Sequence, residues 1–149
     1  MEDTKKEILL VYCSAAIRPF ESKDIVDLLM VSRKHNEKNN ITGMLLYIDE
    51  SFFQVLEGDE ETLHALYKKI EVDQRHTKVV KLIEEPIDKR TFSDWSMGYA
   101  KATRVELSTI PGLNKFFASG SSFKELEPGR AKVLLDAFRE GKWRRRLTS

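Results

Sequence analysis

The chain has 149 residues, 41% hydrophobic and 33% charged, which is typical of one soluble globular domain and excludes a disordered or fibrous chain. No segment approaches the roughly 18 apolar residues of a transmembrane helix, and the N-terminal MEDTKKE lacks the apolar core of a signal peptide. The net charge of +1 hides an asymmetry, because residues 1–100 hold 14 Lys and Arg against 19 Asp and Glu, whereas residues 101–149 hold 11 against 5.

The first predicted element is a strand at residues 7–14, EILLVYCS. A nearly unbroken apolar run is typical of a central strand that is covered on both faces of its sheet. The run contains Cys13, the single cysteine of the chain, which excludes an internal disulfide and indicates a reducing, cytoplasmic environment. We expect Cys13 to be a buried, unreactive thiol.

A helix is predicted at residues 23–39, with Ser22 as its N-cap. Strands are predicted at 41–48 and from 51 onward, and the short turn between them indicates an antiparallel hairpin. The second of these strands contains Gln54 between apolar neighbours. Because side chains alternate along a strand, Phe52, Gln54 and Leu56 are expected on one face. The buried amide of Gln54 then requires hydrogen-bond partners.

The later part of the chain is predicted to contain further helices and strands separated by loops. The remaining predicted elements are a helix that Asp59 caps and that runs to about residue 72, a loop at 73–77, strands at 78–87 and 92–100, and a last helix at about 128–140 that Gly141 ends.

The order β-α-β-β-α-β-β predicts a ferredoxin-like α+β fold with a five-stranded mixed sheet and two helices on one face. The first strand is apolar on both faces, so the other face also needs a cover, and we expect the C-terminal helices to supply it. We therefore divide the chain into a core, residues 1–101, and a helical cap with a basic tail, residues 102–149, packed as one domain.

One helix carries polar residues where a core stripe is expected. Leu28 is followed at intervals of four by Ser32 and Asn36, and His35 lies beside them. Burying an unpaired amide costs about 1–3 kcal/mol, so we expect Asn36 to meet a partner inside the fold.

These polar residues predict a slot between the two helices and the sheet. Its floor is formed by Tyr12 and Gln54, and its walls by His35, Asn36 and Ile70. A slot that is apolar on two sides and edged by amides suits a flat heteroaromatic ring with donors and acceptors along one edge.

Other functions receive little support from the sequence. A hydrolase would need a nucleophile within reach of a base, and the chain has no HExxH, P-loop or CxxC motif and no evident metal site. No RNP1-type run indicates RNA binding. The tail at residues 142–149 contains four basic residues and could meet phosphate-rich partners, although a solvated tail is favoured and we expect no nucleic-acid partner.

The chain resembles the BLUF family, the blue-light sensors that use a flavin, over about residues 7–100. The resemblance is carried by several short motifs at their expected separations. These are Tyr12, Ser32, His35, Asn36 and the segments NNITGMLLY, FFQVLEG, DQRH and DWSM.

The resemblance implies a bound FAD, with FMN as a possibility, and a role for each matching position. Tyr12 and Gln54 correspond to the residues of the photocycle, and Trp95 and Met97 to residues that transmit the signal. The implied cofactor-binding residues are Tyr12, Leu28, Ser32, His35, Asn36, Gln54, Ile70, Arg75 and His76.

The resemblance also implies that the protein is a photoreceptor and not an enzyme. Light would move an electron and a proton from the tyrosine and rearrange the glutamine hydrogen bonds, giving a red-shifted state. With about 50 residues after the core, the chain is similar to the short members of the family, which signal to a separate partner protein and commonly form homo-oligomers. The alternative is a flavin-binding redox enzyme without a photocycle.

Overall fold

The structure is a computed structural model that describes residues 6–93, 96–100, 103–139 and 147–148. Its elements follow the predicted order through the fifth strand, and those between the fourth strand and the last helix are short. The strands are β1 (Glu7–Ala16), β2 (Thr42–Ile48), β3 (Ser51–Asp59), β4 (His76–Pro86), β5 (Gly98–Ala100) and β6 (Leu147–Thr148), and the helices are α1 (Ser22–Asn39), α2 (Glu60–Glu71), α3 (Arg104–Leu107), α4 (Asn114–Ala118) and α5 (Pro128–Arg139), with a 3-10 helix at Phe123–Glu125.

The strands form one mixed sheet in the order β4-β1-β3-β2-β5-β6. Neighbouring strands are antiparallel except for β2 and β5, which are parallel. The predicted ferredoxin-like α+β fold with five strands is therefore confirmed. The sixth strand, β6, was not predicted, and it comes from the end of the basic tail, whose residues 142–146 lie outside the described part of the chain.

The sheet has a helix face, covered by α1 and α2, and a cap face, covered by the C-terminal helices. On β1, Leu10 packs with α1 and α2 residues, whereas Leu9 and Val11 pack with residues of α3 to α5. On β3, Leu56 belongs to the helix face and Phe53 to the cap face. The strict alternation explains why β1 is apolar throughout, since both of its faces are buried.

The two long helices begin at different kinds of cap. Asp59 caps α2 as predicted, and its carboxylate accepts the N–H of Thr62 at 3.2 Å. The predicted N-cap of α1, Ser22, is wrong, because Ser22 is the first helical residue and Glu21 occupies the cap. The side chain of Asp24 accepts the N–H of Glu21 at 2.9 Å, so an acidic residue in the first turn satisfies the helix end.

The starts of the two later strands, β4 and β5, differ from the prediction. β4 begins at His76, within the predicted loop, because His76 already pairs with Ala16 of β1. β5 begins at Gly98 and not at residue 92. The N–H groups of Thr91 and Phe92 donate to the carboxylate of Glu57, at 2.7 and 2.9 Å, and so do not enter a strand ladder.

The cap is tied to the hairpin of β2 and β3. The hydroxyl of Ser51 accepts the N–H of Phe123 at 3.0 Å, and Arg104 forms an ion pair with Asp49 in the turn. The rings of Phe53 and Phe123 lie 5.7 Å apart. No helix within the described ranges has both the length and the apolar character that crossing a bilayer requires.

Candidate functional site

Tyr12 and Gln54 meet on the helix face of the sheet. They are directly opposite each other in the antiparallel pairing of β1 with β3, so both side chains point to the same face. Both are buried, with 4% and 7% of their surface exposed. The Tyr12 hydroxyl donates a hydrogen bond to Oε1 of Gln54. The register of two strands therefore places a phenol and an amide in direct contact.

The other end of the Gln54 amide contacts Met97. Its Nε2 donates to the Met97 sulfur at 3.3 Å, and Met97 is fully buried just before β5. A thioether can only accept, so the amide nitrogen faces Met97, and Oε1 is left to accept from the Tyr12 hydroxyl. The partners that Gln54 requires are thus Tyr12 and Met97.

A cavity of about 260 Å³ opens above this pair, between α1, α2 and the sheet. All nine residues that the sequence analysis proposed for cofactor binding line it, although their binding role stays a prediction. They are Tyr12, Leu28, Ser32, His35, Asn36, Gln54, Ile70, Arg75 and His76.

The sequence analysis missed eight further lining residues, which are Phe20, Val31, Leu45, Phe52, Leu56, Leu66, Lys69 and Asp73. A signal existed for some of them. Phe52 and Leu56 alternate with Gln54 on β3, and Leu66 precedes Ile70 by one helical turn. Leu45 is the cross-strand partner of Gln54, which only the register of β2 reveals.

The polar end of α1 is fixed by contacts across the cavity edge. Asn36 is 2% exposed, and its Nδ2 donates to the carbonyl of Ser96 at 2.7 Å. Its Oδ1 lies 3.3 Å from Nδ1 of His35. The expected buried partner of Asn36 is therefore a backbone carbonyl next to Met97.

His76 closes the opposite end of the cavity in a defined tautomer. Its Nε2 lies 2.5 Å from the carbonyl of Ile70, which can only accept, so Nε2 carries a proton. Its Nδ1 lies 2.8 Å from the hydroxyl of Ser14, which donates to it when the ring is neutral. The ring meets Tyr12 edge to face, with centroids 6.1 Å apart.

The cavity is neutral at its floor and charged at its mouth. Burial is the main cause that raises the pKa of Tyr12 above its usual value, so the phenol keeps its proton near neutral pH. At the mouth, hydrogen bonds from Arg75 lower the pKa of Asp73 to about 2. Cys13 lies on the cap face, and burial raises its pKa to about 11, in line with the expected inert thiol.

The cavity suits a flavin ring in its size and in the hydrogen-bonding chemistry of its lining. Its walls are apolar at Leu28 and Ile70, and two amides, Asn36 and Gln54, lie at its edge and floor. Each amide nitrogen carries two N–H groups, of which one is used in the contacts above, so each can donate once more to a carbonyl or ring nitrogen. The volume is below the roughly 300–1,000 Å³ of pockets for whole drug-sized ligands, which suits a ring system with its tail outside.

Residues 8–98 match the family described as "Sensors of blue-light using FAD". The chain belongs to the BLUF family. It is a flavin-using sensor of blue light, and the redox-enzyme alternative is not favoured. Within the BLUF match, Met97 contacts Gln54, whereas the predicted signalling residue Trp95 lies outside the described residues.

A curated protein whose name describes activation by light is similar to most of this chain. Photoactivated adenylate cyclase subunit alpha from Euglena gracilis is 36% identical over 121 residues, which are 80% of this chain and 12% of that protein. The chain thus spans about an eighth of the length of that cyclase.

Several solved structures are similar to this chain in fold and in sequence. BlsA in its ground state has a TM-score of 0.74 at 32% identity, covering 89% of this chain and 87% of that one. BlrB in its dark state has a TM-score of 0.71 at 31% identity, covering 91% and 97%. BlrP1 from Klebsiella pneumoniae, solved with FMN and cyclic diGMP, has a TM-score of 0.62 at 29% identity, covering 91% and 35%.

Proposed function

We propose that this BLUF domain senses blue light through Tyr12 and Gln54 and reports it to a separate partner protein through Met97 and the C-terminal cap. The observation that carries the proposal is the continuous chain of contacts from the Tyr12 hydroxyl to the Gln54 amide and on to the Met97 sulfur. Residues 1–101 then act as the sensing core, and residues 102–149 as the output region.

The cofactor of the proposal is FAD, after the description of the family. The structure of BlrP1 contains FMN, and the cavity accommodates the ring that the two flavins share. Asn36 and Gln54 hold the polar edge of the ring, and Leu28 and Ile70 form its walls. The remaining proposed contacts are Tyr12, Ser32, His35, Arg75 and His76.

A bound flavin supplies the absorption of blue light and an acceptor for one electron. Tyr12 holds a proton on its hydroxyl and shares it with Oε1 of Gln54, so electron loss from the phenol releases that proton along the existing hydrogen bond. Once the electron returned to the phenol, the proton would return from Gln54 to the Tyr12 oxygen, and the Gln54 amide would be left rotated or tautomerised, with its donor and acceptor positions changed. No cysteine takes part, in agreement with the position of Cys13 on the cap face.

The Gln54 amide is suited to having two orientations. In the present orientation it donates to the Met97 sulfur, which is a weak acceptor. A hydrogen bond contributes only about 0.5–1.5 kcal/mol net, whereas moving a two-state equilibrium from 1:99 to 99:1 needs about 5.5 kcal/mol. The amide therefore starts the switch, and repacking of Met97 within the helix-face core, passed on along the chain to the cap, has to complete it.

The proposed output is a change in protein contacts and not a reaction catalysed by this chain. Some relatives carry the same domain within a cyclase, and we assign the corresponding effector of this protein to a separate chain. Self-association into a homo-oligomer and a cytoplasmic location complete the proposal. A comparison of proteins that bind the dark and the illuminated forms tests the output directly.

Illumination of the purified protein loaded with FAD tests the sensor. We expect a reversible red shift of the flavin absorption with the flavin still oxidised, and we expect Gln54→Leu to bind flavin without the shift. Stable flavin reduction with substrate turnover would support the redox enzyme instead. A protein that stays colourless with added FAD and FMN contradicts the proposed function.

A further inference from the structure

The backbone of Ser96 and Met97 is held by side chains of α1, just before the strand pairing of β5 begins. Pairing of β5 with β2 starts at Gly98, opposite Met44. Just before it, Asn36 donates to the carbonyl of Ser96 at 2.7 Å, and Nε of Arg33 donates to the carbonyl of Met97 at 2.8 Å. Two side chains on adjacent turns of α1 thus hold two consecutive carbonyls.

Met97 is consequently held at both ends. Its sulfur accepts a weak bond from Gln54, and its carbonyl accepts a bond from a guanidinium, which is of the stronger, charge-assisted kind. Arg33 is half-buried, so this bond is partly shielded from water. When the weaker contact at the sulfur is lost, the contact with Arg33 remains and keeps the Met97 backbone in place.

We propose that Arg33 is a positioning residue that determines how fast the dark arrangement is restored after illumination. The proposal rests on the proposed function, because it concerns the return of Gln54 to its contact with Met97. For that return the Met97 sulfur has to lie within reach of Nε2 of Gln54. Arg33 holds the Met97 backbone in place while its side chain repacks, so that the sulfur and the amide meet again when Gln54 rotates back.

The position of Arg33 on α1 strengthens this inference. The same helix supplies Leu28, Ser32 and Asn36 to the cavity. The bond from Arg33 therefore fixes the position of the Met97 backbone relative to the helix that lines the cofactor cavity. Helix α1 thus contacts both the cavity and the segment Ser96–Met97, which leads to the cap.

Two substitutions separate the hydrogen bond of Arg33 from its packing. Arg33→Met keeps the apolar stem but removes the donor, and Arg33→Lys keeps a charged donor. Lys34→Met is the matched control, because Lys34 is an exposed neighbour on the same helix. After a blue flash, we expect Arg33→Met to show the normal red shift but to recover about tenfold more slowly, which corresponds to about 1.4 kcal/mol. Arg33→Lys and Lys34→Met are expected to recover within about twofold of the wild type, a difference of about 0.4 kcal/mol.

Recovery of Arg33→Met at or above the wild-type rate overturns the proposal, and so does equal slowing in Arg33→Met and Arg33→Lys. A second measurement is made in the dark, by infrared spectroscopy of protein with carbonyl-labelled methionine. The Met97 band is assigned by its absence from Met97→Leu, and it is expected at higher frequency in Arg33→Leu, which removes the donor without adding a labelled carbonyl. An unchanged band overturns the proposal whatever the photochemistry. A wild type without a red shift overturns the proposed function and with it the role of Arg33 in recovery, whereas a normal wild-type photocycle with unslowed recovery in Arg33→Met overturns the role of Arg33 alone.

Discussion

Two buried polar residues of β3 lie three positions apart and face opposite sides of the sheet. Glu57, 1% exposed, points to the cap face, where its carboxylate accepts hydrogen bonds from Thr42 and from the N–H groups of Thr91 and Phe92. Gln54 points to the cavity, where its amide has one strong and one weak partner. The comparison shows how one strand holds a fixed polar group and a switchable one.

The packing around Glu57 is dense, whereas the packing around Gln54 is open. The cap face is densely filled, with Phe53, Phe92, Phe117 and Phe123 all fully buried. The helix face contains a cavity of about 260 Å³. Dense packing permits few rearrangements of its parts, so the cap face supplies stability and the helix face supplies the freedom that sensing needs.

The largest expected effect is on the switchable side. Tyr12→Phe removes the donor to Gln54 and the source of the electron and proton, so we expect flavin binding to persist and the red shift to be lost completely. Tyr67→Phe is the control, because the Tyr67 ring lies only 5.9 Å from the Tyr12 ring. We expect this variant to keep the red shift. Absorption spectra before and after blue light decide the matter, and a normal photocycle in Tyr12→Phe would remove Tyr12 from the mechanism.

The next largest effect concerns packing on the cap face. Phe123→Ala is expected to lower the free energy of unfolding by about 3–5 kcal/mol, because it leaves a cavity in a dense core. Phe20→Ala, at the partly buried mouth of the open cavity, should cost clearly less in the flavin-free protein. Urea unfolding measures both, and equal losses would contradict the contrast between the two faces.

A smaller effect is expected at the fixed polar group. Glu57→Gln places an N–H group against donors, so we expect a loss of about 1–3 kcal/mol in the free energy of unfolding. The exposed Glu61→Gln serves as the control and should change little. If Glu57→Gln unfolds at the same urea concentration as the wild type, the three hydrogen bonds do not hold the segment.

The smallest effect is at the cavity mouth. Hydrogen bonds from Arg75 lower the pKa of Asp73 to about 2 from 3.8. Because the folded value is the lower one, the pair contributes to stability above about pH 4, and this contribution is lost as the pH falls towards 2. Carboxyl NMR titration of the flavin-free protein should show a midpoint near 2 that rises towards 3.8 in Arg75→Gln. An identical midpoint in the variant would contradict the pairing.

Much of the fold follows from patterns that are local in sequence. The alternation along β3 placed Phe52, Gln54 and Leu56 on one face, and the continuous apolar run of β1 implied a cover on both faces, which the structure confirms. The errors came from competition between local and distant partners. The run from residue 92 reads as a strand, but Glu57 takes the N–H of Phe92, and β5 is left with three residues.

The candidate site was predictable to the extent that polar residues stood out from apolar stripes. Asn36 on a core stripe and Gln54 between apolar neighbours indicated a buried polar cavity, and the resemblance to BLUF domains added Arg75 and His76. The contact of Arg33 with the Met97 carbonyl gave no such signal, because an arginine on a helix is usually solvated and its backbone partner lies 64 positions away.

The short strand β5 has a consequence for motion in the protein. Among the described residues it is joined to β2 by two residue pairs, whereas β1 shares nine pairs with β3. Backbone amides of β5 should therefore exchange their protons with deuterated solvent long before those of β1, since fewer bonds have to break for each opening. A disturbance that starts at Met97 therefore enters the sheet at a strand that has only two described residue pairs with each of its neighbours.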